Sequence, residues 1–366
     1  MTELVIDYSA LANNAAAIRR IAGTAKVIGM VKSNGYGLGL KCMAGILAEN
    51  GVDMLAVTTL EDALELRESG ITLPILLVTP LYTQEQLSEA VQHDIILTVA
   101  SADSAAAAQQ AAKAADAAVH VHIALDTGFG RFGFLPEQTD LIIQAVKACD
   151  ALDFCGIFTH LYDAGAKDEA ASRRQYELFM QVCNKLEGAG INPGMRHIAN
   201  SAAALRFDWA RLDAVRCGSA FLGRVAVPGG CKLERVGVLR SQITDIYEKP
   251  AGHNYGYGGV CSSRAALRTA VIPVGTEHGL CVQQADNSVR IIDRVRRLWH
   301  CVRELKSPPL GFVTVNGTQC RVLGQAGLCS SIIDVTGVDC SRGDEVTVNV
   351  NTLRVGSHIP RVIIRN

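Results

Sequence analysis

One lysine stands where an amine could do covalent chemistry. Lys32 directly follows the apolar run 27–31, which predicts a buried strand. Three glycines occur among the next seven residues, so the strand should end in a tight loop with little steric bulk. An amine held among apolar neighbours has a depressed pKa and can form a Schiff base. Taken alone, however, a lysine at a strand end more commonly extends into solvent.

Polar residues of catalytic type follow several other apolar runs. Each also has an ordinary interpretation: Ser201 could cap the short helix predicted after it, and Arg216 could form an ion pair with Asp213. Arg131 could likewise be an ion-pair partner at a rim, and His160 a core imidazole. Besides Lys32, the candidates are Arg131, His160, Ser201, Arg216, Gly218 and Ser219.

Strands and helices alternate along the first 223 residues, with short connections. Strands are predicted around Ile28, Leu55, Leu76, Leu97, Val121, Cys155, Ile198 and Ala214. Helices are predicted near 9–21, 41–50, 60–69, 84–93, 102–117, 137–149, 169–189 and 201–206. Eight such strands indicate an α/β fold, a parallel (β/α)8 barrel of the TIM type, with an open doubly wound sheet as the alternative.

A barrel of this kind would bring the candidate residues together. Its active site lies at the carboxyl ends of the strands, and Lys32 and the other candidates all follow such ends. Phosphate sites in this fold commonly form after the last two strands, where Ser201 and the backbone of Gly218 and Ser219 would lie. A lysine opposite a phosphate site suggests pyridoxal 5′-phosphate, bound as a Schiff base.

The sequence changes character after Gly223. A linker around 228–230 is followed by alternating segments typical of antiparallel strands, which predict a second, mainly β domain. The predicted division is a barrel over 1–230 and a β domain over 231–366, with residues 1–8 able to pair with the latter. Strands are expected within 233–246, 267–274, 311–322, 331–335 and 345–350, and an amphipathic helix within 288–305.

Composition excludes several classes of protein. The 366 residues suffice for two domains, and a net charge of -1 argues against a nucleic-acid or membrane-surface partner. The 12 cysteines include no C-x-x-C pair, which disfavours a zinc or redox motif and suits free thiols in a reducing cytoplasm. Because no run of about 18 apolar residues occurs, we expect a soluble cytoplasmic protein.

Six motifs in order resemble those of the alanine racemases, which are fold-type III pyridoxal-phosphate enzymes. The segment VKSNGYGLG, residues 31–39, is similar to the family signature V-K-A-N-A-Y-G-H-G, whose lysine carries the cofactor. The other five are LDTGFGRFG, GIFTHL, HIANSAA, VRCGSAFLGR and NYGYGG. The resemblance extends from the barrel into the β domain.

The resemblance implies a role for each matching residue. Lys32 would hold the cofactor and act as the base on one face of the substrate. Tyr257 would be the second base, supplied by the partner subunit of a homodimer. Arg131 and Leu328 would bind the substrate. The remaining cofactor-binding residues would be Tyr36, Ser201, Gly218 and Ser219 at the phosphate, Arg216 at the pyridine nitrogen and His160 beside the ring.

The sequence also departs from the family pattern. Ala124 replaces a lysine, commonly carbamylated, that orients the arginine equivalent to Arg131. Thr276 replaces an entrance tyrosine, and Cys329 replaces an aspartate. No tyrosine follows Tyr257, so one phosphate ligand is missing, and the segment 285–310 is longer than usual. The resemblance therefore implies the cofactor more firmly than the substrate, and a reduced phosphate affinity.

The predicted function is interconversion of L- and D-alanine by two bases, supplying D-amino acid for peptidoglycan. A first alternative keeps this mechanism and changes the substrate to serine or another amino acid. A decarboxylase of similar two-domain architecture is another. A non-catalytic relative that binds pyridoxal phosphate belongs to a different class.

Overall fold

The chain divides into two compact units. The computed structural model describes residues 1–225, 227, 231–259, 261–282, 295, 298–299 and 311–365. One unit comprises Met1–Asp7, which contains strand β1 (Glu3–Asp7), and Gly237–Ile364. The other comprises Tyr8–Val236 with Arg365. Apart from three residues, the helix expected within 288–305 lies outside the described residues.

The second of these units contains an eight-stranded parallel sheet. Its order is β8-β7-β6-β5-β4-β3-β2-β9, and a bridge between Ala199 and Val215 brings the two ends together. The sheet is therefore a nearly closed barrel, which confirms the predicted fold and shows the open-sheet alternative to be wrong. The strands are β2 (Lys26–Met30), β3 (Met54–Val57), β4 (Ile75–Leu77), β5 (Ile95–Val99), β6 (Val119–Ala124), β7 (Leu152–Phe158), β8 (Met195–His197) and β9 (Ala214–Cys217).

Helices alternate with these strands and bury one face each. The alanine-rich helix Ala102–Ala114, for example, begins at a capping box of Ser101 and Ser104, and buries Ala105, Ala108 and Ala112. The others are Tyr8–Ala22, Leu40–Glu49, Leu60–Glu68, Gln84–Gln92, Thr139–Ala148, Ala170–Gly188 and Ser201–Arg206. No helix in the described ranges is long and apolar enough to cross a membrane.

The interior of the barrel is apolar along most of the strands. Its core contains Ile28, Met54, Leu76, Phe158 and Ala214, among others. Alternate residues of a strand share one face, so polar residues two positions from core residues also face inward. His122 and Arg216 are such residues, and with His197 they are buried.

The mainly β unit contains one nine-stranded sheet in the order β11-β12-β15-β14-β13-β16-β10-β1-β17. All described pairs are antiparallel except β1 with β17. The predicted segment 311–322 is two strands, because Asn316 and Gly317 adopt positive φ values of 46° and 79° in a tight hairpin turn. The strands after β1 are β10 (Gly237–Gln242), β11 (Asp245–Lys249), β12 (Leu267–Ile272), β13 (Phe312–Val315), β14 (Thr318–Leu323), β15 (Ser331–Asp334), β16 (Glu345–Val348) and β17 (Arg361–Ile364).

Candidate active site

A cavity of about 720 Å³ opens at the carboxyl ends of the barrel strands. It combines an amine, three guanidinium groups, an imidazole and five side-chain hydroxyls. Asn200 also lines it, together with Phe129 and Phe132, two residues that the sequence did not single out. Of the predicted residues, Lys32, Tyr36, Arg131, His160, Ser201, Arg216, Gly218 and Ser219 all line this cavity.

A left-handed turn follows Lys32 and directs the chain back toward the cavity. Ser33, Asn34, Gly35 and Tyr36 all have φ between 53° and 59°. This conformation costs about 1–2 kcal/mol per residue with a side chain. The Asn34 carboxamide stabilises the turn by accepting a hydrogen bond from the Leu40 N–H at 2.9 Å. The strained turn places both Lys32 and Tyr36 at the same cavity.

Two arginines affect the protonation of Lys32. Burial, then the charges of Arg131 and Arg216, lower the pKa of its amine. A lowered pKa raises the neutral fraction of the amine near neutral pH. Lys32 is therefore better suited to act as a nucleophile or base than an ordinary surface lysine.

Arg216 is a buried cation at the base of the cavity. It donates hydrogen bonds from Nη1 to His197 Nδ1 at 2.8 Å, and from Nη2 to His160 Nδ1 and the Thr159 carbonyl, both at 3.1 Å. Burial and the charge of Arg131 lower its pKa to about 10, so it stays protonated near neutral pH. Arginine has five N–H groups, so the N–H on Nε and one on Nη1 have no bond in the described part of the chain.

Burial and the charge of Arg216 keep three histidines neutral. Because arginine only donates, His197 must accept at Nδ1 and carry its hydrogen on Nε2. That N–H donates to His122 Nδ1 at 2.9 Å. Burial and the charge of Arg216 lower the pKa of His122 and of His160 to about 3, and that of His197 well below its usual value. The neutral imidazoles of His197 and His160 accept hydrogen bonds from the Arg216 guanidinium and hold it in one orientation.

Sequence reasoning missed His122 and His197. The available signal was their position. Each lies two positions from an apolar residue of the same strand that faces inward. Because alternate residues of a strand share one face, each of these histidines should also face the barrel interior.

Hydroxyl and backbone groups gather at the ends of β8 and β9. Asn200, rather than Ser201, caps the following helix, because its side chain accepts from the Ala203 N–H at 3.1 Å. The interpretation of Ser201 as the cap is therefore wrong. Its Oγ instead accepts the N–H groups of Gly218 at 3.0 Å and Ala220 at 3.2 Å.

The Tyr36 hydroxyl completes this group. A Cβ on Gly218 would lie only 2.1 Å from the Tyr36 hydroxyl oxygen, so that approach requires glycine. Burial raises the pKa of Tyr36 to about 12, so its hydroxyl stays protonated and can donate a hydrogen bond to an anion.

Arg131 is held by aromatic rings. The carboxylate of Asp126 accepts the N–H groups of Gly128, Gly130 and Arg131 itself, which shapes the loop 126–131. The guanidinium carbon of Arg131 lies 4.6 Å from the centre of the Phe129 ring and 4.8 Å from that of Phe132. No carboxylate forms an ion pair with Arg131 among the residues that the structure describes. Two aromatic faces therefore contact the guanidinium directly, and the charge of Asp126 acts on it from further away.

Comparison with known proteins identifies the family. Residues 6–225 match the family model described as alanine racemase, N-terminal domain. The chain is 31% identical over 350 residues to an alanine racemase of Methanococcus maripaludis, which covers 94% of this chain and 87% of the relative. It is also 31% identical over 385 residues to one of Desulforamulus reducens, covering 98% of each. The chain belongs to the alanine racemase family. It is therefore a racemase, an isomerase.

A solved structure has the same fold. The alanine racemase of Streptomyces coelicolor A3(2) superimposes with a TM-score of 0.86 at 25% identity, over 100% of this chain and 98% of that one. Both units of the chain are thus represented in a racemase of known structure.

Two predicted site residues of this racemase, Tyr257 and Leu328, lie in the mainly β unit. Tyr257 is 72% exposed and Leu328 is 65% exposed. By contrast, Tyr255 is only 1% exposed, and its hydroxyl has no hydrogen-bond partner among the described atoms. Of the two neighbouring tyrosines, only Tyr257 is accessible to act on a group outside its own unit.

Proposed function

We propose that this racemase acts on alanine, uses pyridoxal 5′-phosphate, and works with two bases, Lys32 and Tyr257 of the partner subunit. The observation that supports this most directly is the cavity, where the amine of Lys32, its pKa lowered, lies beside the buried cation Arg216. The relatives named alanine racemase support the substrate.

The residues present fit the cofactor. Arg216 keeps two N–H groups without a described partner, suited to the ring nitrogen, which accepts hydrogen bonds. The protonated Tyr36 hydroxyl, the Ser201 O–H and the Ser219 N–H offer hydrogen bonds to a phosphate. The Gly218 N–H is already donated to Ser201 Oγ, so Gly218 would contribute by letting the phosphate and Tyr36 approach the backbone closely. Lys32 would provide the covalent link, and His160 would lie beside the ring. When bound, the cofactor stabilises negative charge that develops at the substrate α carbon.

Racemisation requires a proton to leave one face of the α carbon and another to return on the opposite face. Lys32 would serve one face as a base, since its lowered pKa favours the neutral amine. Tyr257 of the partner subunit would serve the other face. Arg216 would hold the ring nitrogen without giving up its proton. Arg131, together with Leu328, would orient the substrate through its carboxylate.

An exposed phenol at Tyr257 is what a shared active site would need, so the working form would be a homodimer. The D-alanine would supply peptidoglycan synthesis in the cytoplasm.

The test is a panel of amino acids incubated with cofactor-loaded protein in deuterated water and separated by chiral chromatography. We expect alanine to be turned over best, with deuterium at the α carbon of both enantiomers. A clear preference for serine would support the alternative function, a serine racemase with the same mechanism. Failure to exchange any amino acid would contradict racemase activity, and carbon dioxide release would indicate a decarboxylase.

Substituting Gly218→Ala should weaken cofactor binding. The new methyl group would collide with the Tyr36 hydroxyl at the 2.1 Å separation and displace it. Losing a hydrogen bond to a charged group costs about 1.5–3 kcal/mol, roughly a 10–100-fold weaker affinity. Titrating apo-protein with pyridoxal 5′-phosphate measures this affinity.

Gly165→Ala is the matched control, since Gly165 lines the cavity and a Cβ there would meet nothing within 4 Å. Equal affinities in the two variants would refute the proposed phosphate site.

Substituting Phe132→Leu should raise the KM for alanine and leave kcat nearly unchanged. Leucine keeps an apolar side chain but removes one of the two rings that contact Arg131. A cation–π contact is worth about 0.5–1 kcal/mol at an exposed site, so KM should rise about 2–5-fold. Phe312→Leu, an exposed phenylalanine in the other unit, is the control. A fall in kcat with an unchanged KM would exclude positioning of the substrate carboxylate.

A further inference from the structure

Three side chains with metal-binding atoms meet near the amino ends of β6 and β7. They are His120, Asp153 and Cys155, and their donor atoms all lie within 4.8 Å of one another. The imidazole Nδ1 of His120 is 2.8 Å from Oδ2 of Asp153. The cluster lies at the opposite ends of the strands from the cavity, so the proposed racemase chemistry does not use it.

The backbone holds these side chains together. His120 and Asp153 are directly paired positions of two neighbouring parallel strands. Cys155 is two residues further along β7, at the β-bulge that shifts the register of this pair, and it packs against the barrel core. Donors on adjacent strands of a barrel are positioned more rigidly than donors on loops.

The donor atoms are a sulfur, a nitrogen and an oxygen, and this combination favours some metal ions over others. The Cys155 thiol donates a hydrogen bond to the Val121 carbonyl at 3.6 Å, and it would release this proton on binding a metal. A thiolate and an imidazole favour zinc, whereas calcium and magnesium prefer oxygen ligands alone. Three protein ligands leave the fourth tetrahedral position for water. His120 and Asp153 are each about half exposed, so an ion and its water can reach them. In the described part of the chain, neither residue has another ion-pair partner.

We propose that His120, Asp153 and Cys155 bind one Zn²⁺ ion at the amino-terminal end of the barrel. The ion joins β6 to β7 at an open site, with three protein ligands rather than the four of closed structural zinc sites. Because the three ligands meet only in the folded chain, binding stabilises the barrel, and the ion takes no part in racemisation. This inference does not depend on the proposed substrate or cofactor.

The test uses the full-length protein, stripped of metal with a chelator, loaded with pyridoxal 5′-phosphate and dialysed against micromolar zinc. We expect one zinc per chain by elemental analysis and a rise in the midpoint of thermal unfolding. Cobalt in place of zinc should produce a thiolate-to-metal charge-transfer band. The variants Cys155→Ser and Asp153→Asn should bind no zinc, and should show neither the thermal shift nor the charge-transfer band. Both variants should keep racemase activity, which shows that they fold.

Controls are needed because the chain has 12 cysteines and nine histidines. Cys42→Ser removes another half-buried thiol, and His93→Asn removes another exposed imidazole. Both controls should retain the zinc. Retention of one zinc by Cys155→Ser, or no zinc on the wild-type protein, would overturn the proposal.

Discussion

Replacing Lys32 by alanine should abolish racemisation. The change removes a base, whose contribution is typically about 10²–10⁴-fold, and with it the covalent anchor of the cofactor, so turnover should fall by at least ~10³-fold. When the Lys32→Ala variant is mixed with pyridoxal 5′-phosphate, it should also lack the visible absorbance of the covalently attached cofactor that the wild-type protein shows. Borohydride reduction followed by peptide mass spectrometry should find the cofactor on Lys32 in the wild-type protein only.

Lys41→Ala provides the matched control for this experiment. Lys41 is exposed on the next helix and forms an ion pair with Glu65, so its loss should change neither absorbance nor activity. If Lys32→Ala still held the cofactor covalently, or racemised alanine at the wild-type rate, the proposed roles of Lys32 as cofactor anchor and base would be wrong.

Replacing Tyr257 by phenylalanine should lower turnover by about 10²–10⁴-fold, because it removes the second base. The loss should be asymmetric. Lys32 alone can still remove a proton and return one on its own face, so one enantiomer should exchange deuterium without inversion. Tyr255→Phe is the control, because that hydroxyl is buried and unpaired in the described structure, and its removal should be neutral. Equal exchange by both enantiomers in Tyr257→Phe would contradict its role.

Mixed dimers separate the two possible origins of Tyr257. A dimer with one Lys32→Ala subunit and one Tyr257→Phe subunit, isolated by two different tags, has one intact site if the tyrosine comes from the partner. Its activity per dimer should then be about half that of the wild-type protein. An inactive mixed dimer would mean that the tyrosine serves its own subunit.

The sequence by itself was sufficient to predict the order of the barrel elements and the position of Lys32 at the end of a strand. Both depend on local patterns. An apolar run of five residues predicts a buried strand wherever it lies, and glycines after it predict a turn. The rule that active sites of this fold lie at carboxyl strand ends then grouped Lys32, Arg131, His160 and Arg216, and the structure places all four at one cavity.

Only the tertiary structure decided how these groups are supported. The bond from His197 to His122 joins residues 75 apart in sequence, and the bond from Arg216 to His197 joins residues 19 apart. Such contacts depend on strand register and barrel closure, which no local pattern encodes. For the same reason, the zinc ligands His120 and Asp153 became neighbours only once β6 and β7 were paired.

Burial was likewise a tertiary result. Tyr255 and Tyr257 are the same residue type two positions apart, yet one is 1% exposed and the other 72%. Their sequence motif is similar to that of a catalytic tyrosine but does not encode which ring packs into the unit. The side chains that could do chemistry can thus be predicted from residue type and spacing. Their protonation, orientation and accessibility follow from packing between segments that are distant in the chain.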